Sequence, residues 1–217
     1  MSHLVKIILF TITLLSSKDS SDVKYLHSSI MKIPNLSFLE RTYSGLDILE
    51  QMDFSPLKDK KIAILTNHTA VNRNGDHILD LIHHNANIEV SFILEFENGL
   101  WGVDDKRSKL IGRGNIEPLH DAPILDLFNT YVYPPHWVMD KIDLILVDFQ
   151  DTGSRYSTYI ATMSKVFESA SNHEKQVILL DRPNPIRGDI LDGPIPRIDY
   201  QSFESYHLLP IRHGLTY

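Results

Sequence analysis

Four short apolar runs in this chain each end in a burst of polar side chains, and those bursts hold the residue types that can do chemistry. Asn67 and His68 follow residues 62–65. Glu97 and Asn98 follow residues 90–94. Asp148, Gln150, Asp151 and Arg155 follow residues 142–147, and Asp181, Arg182 and Asn184 follow residues 177–180. Amides both donate and accept, carboxylates accept, and guanidiniums donate in a planar fork. That mixture suits a polyhydroxylated ligand, whose hydroxyls also do both.

Within this set Glu97 is the best placed for proton transfer. It follows an apolar strand and stands between Phe96 and Gly99. A partly apolar pocket would raise its pKa, as a general acid working near neutrality requires. The bland alternative is a loop acid in solvent, or one that caps the next turn. Glu95 is the competing carboxylate, because two-residue alternation puts it on the same face as Glu97 if the strand continues. Asp151 reads either as a cap for the helix that follows or as a ligand contact. Arg155 either pairs with Asp148 or Asp151 or reaches a substrate. Tyr156 opens an apolar stripe continued by Ile160, Met163, Phe167 and Ala170, and is expected to face the core. Tyr159 points its hydroxyl at a cleft or at solvent. Asp181 precedes Arg182-Pro183-Asn184-Pro185, a proline-stiffened loop that is either a turn or a binding element. Arg212 and His213 hold an acidic group or lie in a surface loop.

The totals remove several classes of function. A formal net charge of -7 argues against a nucleic-acid partner, which needs clustered Lys and Arg. With no cysteine there is no thiolate catalysis, disulfide or Cys-based zinc site. Neither GxGxxG nor GxxxxGK[ST] is present, so no dinucleotide or nucleotide cofactor is expected. The histidines are scattered, and none forms HExxH. A metal-dependent alternative would use Asp104, Asp105, His120 and Asp121. A polar loop is the preferred reading of those four, and no metal is expected.

The elements that must position these groups follow from periodicity. The four apolar runs are short and rich in branched residues, as strands buried on both faces are. Before the first of them, Leu46, Leu49 and Met52 mark one helix, and between them Ile78, Leu79, Leu81 and Ile82 mark a second. The stripe from Tyr156 to Ala170 marks a third. Residues 58–61 read as a charged turn, and residues 100–136 as an irregular connection. Alternating strands and helices imply an α/β fold of Rossmann-like, mostly parallel sheet with flanking helices. The carboxyl ends of such strands converge on one crevice.

Upstream, Lys6 and the apolar run 7–15 resemble a secretory signal, with a buried strand as the alternative. The run is too short to span a bilayer, so no stable membrane insertion is expected. Residues 1–17 are therefore read as a signal-like segment implying export, 18–42 as a polar linker or arm, and 43–217 as the catalytic domain.

The polar bursts belong to longer motifs: GLDIL at 45–49, LTNHTAVNRNG at 65–75, ENGLWG at 97–102, DFQDTGSRYSTYI at 148–160, DRPNP at 181–185 and RHGLT at 212–216. In this order they resemble the NamZ-type exo-β-N-acetylmuramidases of bacteria, over about residues 43–217. The resemblance implies release of N-acetylmuramic acid from the non-reducing ends of peptidoglycan fragments. It also implies a Rossmann-like N-terminal domain and a second, C-terminal lobe that this chain lacks. The family's Pro-Glu-His-Gly glutamate falls on Glu97, with Phe96 in place of the proline and Asn98 in place of the histidine. Tyr156 is retained, followed by Ser157 where the family pattern is aromatic-Thr-Tyr.

On this reading Glu97 protonates the leaving oxygen, and Asp151 activates water or stabilises an oxocarbenium-like state. Asn67, His68, Asn98, Asp148, Gln150, Arg155, Tyr156, Tyr159, Asp181, Arg182, Asn184, Arg212 and His213 form the substrate-binding set. One of Arg155, Arg182 or Arg212 holds the lactyl carboxylate of muramic acid. The alternative is a non-catalytic muropeptide-binding protein, prompted by the altered residues 96 and 98.

Overall fold

The computed structural model of the chain describes residues 7–10, 42–85, 87–102 and 116–216. The arm assigned to 18–42, all but residues 7–10 of the signal-like segment, and Asp104 and Asp105 lie outside them, Thr42 apart.

Among the described residues seven strands form one sheet: β1 (Ile7–Phe10), β2 (Lys60–Thr66), β3 (Ile88–Glu95), β4 (Ile116–Glu117), β5 (Ala122–Asp126), β6 (Leu144–Asp148) and β7 (Gln176–Leu180). Their order is β1-β7-β6-β2-β3-β5-β4. All neighbours are parallel except β4 and β5. Helices α1 (Gly45–Gln51), α2 (Ile78–His83), α3 (His136–Met139) and α4 (Thr158–Asn172) flank the sheet.

The strands alternate between two cores. Ile62, Ile64, Leu144, Leu146, Ile178 and Leu180 pack with Leu46 and Leu49 of α1 and Ile78, Leu79 and Ile82 of α2. Ala63, Leu65, Ile145, Val147, Val177 and Leu179 face the opposite side, where Val138 and Met139 of α3 and Met163, Val166 and Ala170 of α4 cover them. Both faces are thus buried, which is why the strands read as unbroken apolar runs. Val90 joins the first core and Phe92 the second, although two residues apart. The cause is a bulge: Ile62 pairs with Val90 and the next residue, Ala63, with Phe92, so Ser91 is extra.

Several boundaries differ from the sequence reading. The charged turn gives way to β2 at Lys60, after Asp59, whose φ is 60°. The irregular stretch contains β5, obscured by Pro123. That proline pairs with β4, while β3 engages only the three residues beyond it. The third helix begins at Thr158 rather than Tyr156. Ser154 is bridged to Arg212 and the Arg155 N–H donates to the Ile211 carbonyl, so residues 154–155 are committed to another segment. Residues 7–10 of the signal-like run form β1 alongside β7. Among the described residues no helix is long and apolar enough to cross a membrane.

Candidate functional site

The sheet order reverses at β2, which has β3 on one side and β6 on the other. Loops leaving the carboxyl ends of strands at such a reversal diverge and open a crevice. The register Thr66↔Asp148 brings Asn67 and Phe149 level there. Asn67 opens an Asx turn: its Oδ1 accepts the Thr69 N–H at 3.0 Å and the Thr69 hydroxyl at 2.5 Å. The same hydroxyl oxygen accepts the Gln150 N–H at 2.8 Å. Gln150 Nε2 donates to the Pro183 carbonyl at 3.1 Å, drawing in the loop after β7. Three strand ends are therefore tied together by side chains. Asn67 is buried, and its Nδ2 has no hydrogen-bond partner. His68 is exposed with its ring against Gly102, where an added Cβ would lie 2.0 Å from the imidazole.

Beneath this junction lies an ion pair. Arg182 Nε and Nη2 donate to the two oxygens of fully buried Asp148 at 2.7 and 2.9 Å, and Arg182 Nη1 donates to the Val71 carbonyl at 3.1 Å. Burial pushes the Asp148 carboxyl up and the guanidinium opposes that push. The geometry makes this pair a brace between β6 and β7. His77 lies close enough to feel both charges. Burial holds its pKa below the ordinary histidine value.

Asp151 is also inward. Its Oδ2 accepts the Gly153 N–H at 2.8 Å and faces His213 Nε2 at 3.3 Å. His213 Nδ1 accepts the Leu215 N–H, so the ring proton sits on Nε2 and donates to Asp151. The carboxylate thus closes its own turn and docks the C-terminal segment, and the helix-cap reading is replaced. The N-cap of α4 is Ser157, with no side-chain cap bond. His213 is buried against Asp151, so the surface-loop reading does not hold for it. Rather than pairing with Asp148 or Asp151, Arg155 donates its Nη1 to the Pro194 and Leu209 carbonyls at 2.7 and 2.5 Å. Asn184 Nδ2 donates to the Leu215 carbonyl, and Arg212 exchanges backbone bonds with Asp192. The Asp181 carbonyl accepts the Gly45 N–H at 2.7 Å.

Glu97 stands apart from these inward groups. β3 ends at Glu95, Phe96 takes the next core position against Phe149 and Tyr159, and the Gly99 N–H closes a turn onto the Phe96 carbonyl. That turn swings Glu97 out into solvent rather than into the expected apolar pocket. Its Oε2 accepts the Thr158 hydroxyl at 2.8 Å, and neighbouring Asn98 Nδ2 donates to the Tyr159 hydroxyl at 3.3 Å. Glu95 is the half-buried acid. Its Oε2 accepts the Leu100 N–H at 3.0 Å, and desolvation raises its pKa. Tyr156 is 59% exposed and so does not face the core, because it precedes the helix whose stripe it was assigned to.

The sequence-derived residues therefore separate by role. Asn67, Gln150, Asp148, Arg182, Asp151 and His213 knit the strand ends together from within. Glu97, Asn98, Tyr156 and His68 reach outward, while Tyr159 packs its ring on the second core and offers its hydroxyl to Asn98. Thr69, Thr158 and His77 were missed. Asn-x-Thr is a recognisable Asx-turn signal for Thr69, whereas the partners of Thr158 and His77 lie far away in sequence. Among the described residues no group of three or more His, Asp or Glu side chains is arranged to hold a metal ion. His120 Nε2 instead meets the Leu79 carbonyl at 2.9 Å.

Comparison with known proteins adds a second line of observation. The sequence model of the family described as "Exo-beta-N-acetylmuramidase NamZ, N-terminal" matches residues 62–217. The peptidoglycan beta-N-acetylmuramidase NamZ of Bacillus subtilis (strain 168) is 30% identical over 176 residues, which are 81% of this chain and 42% of that protein. Crystal structures of two DUF1343 family proteins from Bacteroides fragilis NCTC 9343 share the fold. One has a TM-score of 0.71 at 29% identity, covering 80% of this chain and 43% of its own. The other has a TM-score of 0.67 at 32% identity, covering 82% and 44%. The chain spans less than half the length of each of these relatives.

Proposed function

The chain belongs to the NamZ N-terminal family, and from that premise we propose that it is the substrate-facing lobe of a glycoside hydrolase acting on peptidoglycan. Its similarity to a peptidoglycan β-N-acetylmuramidase supports the glycosidase role. The finer proposal is release of β-1,4-linked N-acetylmuramic acid from a non-reducing end, with Glu97 as general acid. The observation that carries it is the presentation of Glu97. It is an outward-facing carboxylate on a turn fixed by Glu95, and Thr158 orients it from the neighbouring helix. Asp151 is too enclosed to reach substrate directly, and its part in the proposal is to seat the loop that carries Arg155 and Tyr156.

Release of nitrophenol from a chromogenic β-N-acetylmuraminide tests the proposal. Turnover by the chain, lost in Glu97→Gln with an unchanged unfolding midpoint, is the expected result. Full turnover in the variant overturns the assignment of Glu97.

A second reading, binding without hydrolysis, is favoured by residues 96 and 98. Phe96 is locked into the core and Asn98 is engaged by Tyr159, in a motif where the family carries proline and histidine. Calorimetric binding of a muramic-acid disaccharide with no product after prolonged incubation is its signature. Export of the chain is part of the same proposal, and the amino terminus of the protein recovered from its native cells tests it.

A further inference from the structure

The loop that presents Glu97 also presents an indole. Trp101 is 38% exposed, and its ring centroid lies 5.1 Å from that of His77 at an angle of 47°. The support beneath it is rigid. His77 Nδ1 accepts the Leu79 N–H at 3.3 Å, so its Nε2 carries the proton and donates to the Asn67 carbonyl at 2.9 Å. The ring is thus fixed at both nitrogens, on the residue that opens the turn after β2. On either side of Trp101, the Leu100 N–H is held by Glu95 and Gly102 packs on the His68 ring. The buried Nδ2 of Asn67, without a hydrogen-bond partner, belongs to the same cluster.

The other tryptophan gives a contrast. Trp137 is 45% exposed, yet it packs edge-on against Phe92 and has the Lys141 ammonium 5.8 Å from its ring. Trp101 has a neutral ring behind it and follows the turn of Glu97 in the same loop. We propose that the Trp101 indole is the stacking platform for a pyranose ring of the glycan substrate. A pyranose has apolar C–H faces whose hydrogens carry partial positive charge, and these complement the negative face of an indole. The platform supplies what the polar set lacks, an apolar surface that orients the sugar while Asn and Glu side chains address its hydroxyls. The inference rests on the glycosidase reading and names the residue that seats the substrate.

The test uses the full chain carrying Trp137→Phe, so that Trp101 is the sole indole, titrated with the disaccharide N-acetylmuramyl-β-1,4-N-acetylglucosamine. A saturable change in indole emission is expected. By calorimetry Trp101→Ala is expected to bind at least about tenfold more weakly, and Trp101→Phe within about threefold of the unmodified chain. Emission that stays flat while calorimetry shows saturation overturns the platform, and it does so whether or not the alanine variant folds. Equal affinity in a folded Trp101→Ala overturns the platform and leaves the glycosidase reading standing. No binding of the disaccharide by the folded, unmodified chain overturns both.

Discussion

His213 donates its Nε2 proton toward Asp151 Oδ2 across 3.3 Å, and both side chains are 1% exposed. The contact joins the loop after β6 to the C-terminal segment. His213→Ala leaves the buried carboxylate with the Gly153 N–H as its remaining partner and is expected to cost about 3 kcal/mol. For a chain of this size that is a fall of roughly 6–12 °C in unfolding midpoint by thermal melting. Asp151→Asn keeps an oxygen that can accept both bonds and is expected to lose less than half as much.

Arg182→Met removes the fork from fully buried Asp148 and is expected to destabilise by about 3–5 kcal/mol in urea titration. Asp148→Asn combined with Arg182→Met is expected to recover part of that loss, because the charge left behind is then gone. A coupling term below about 0.5 kcal/mol in the double-mutant cycle would show that the brace contributes nothing as a pair.

Gly45 donates to the Asp181 carbonyl at 2.7 Å, and a Cβ there would lie 2.6 Å from the Leu180 Cα. The obstacle is backbone, which cannot rotate away. Gly45→Ala is expected to cost about 3 kcal/mol by displacing α1 from β7. A melting point unchanged within about 1 °C would show that the helix slides freely.

Thr158→Val keeps the shape of the side chain but frees the Glu97 carboxylate. Under the glycosidase proposal kcat is expected to fall about three- to tenfold at unchanged KM, the worth of one ordinary, solvent-exposed hydrogen bond. A change in KM alone would assign Thr158 to binding rather than to orienting the acid.

The pH dependence has a definite sign. His77 has a folded pKa lowered by burial, with Asp148, Asp80 and Arg182 as the charges around it. Its contribution to stability is full above its unfolded value near 6.5 and is lost as pH falls toward the folded value. Glu95, raised by burial, runs the other way: its contribution is full below about 4.5 and is lost as pH rises through the folded value. Unfolding free energies measured between pH 7.5 and 5 are therefore expected to fall less steeply with acid in His77→Gln, and more steeply in Glu95→Gln.

The strands were legible because burial on both faces leaves a continuous apolar signature, and the polar bursts were legible because they interrupt it. Strand β5 was hidden by Pro123 and by its position near the border of the sheet. What periodicity could not supply was which polar group turns inward. Asp151 meets His213 across 62 positions, Asp148 meets Arg182 across 34, and Glu97 meets Thr158 across 61. Those pairings follow from sheet order, a long-range property to which local spacing is blind. The exposure of Glu97 turns on a similar detail, the residue at which β3 stops.

Strand β1 pairs Ile7 with Val177 and Phe10 with Leu180, so the last row of hydrogen bonds in the sheet is supplied by the run that also reads as an export signal. If a peptidase removes it, β7 is left with an unpaired flank of N–H and C=O groups, a ready template for a strand from another molecule. The flank of β7 is thus covered for as long as residues 7–10 stay in place.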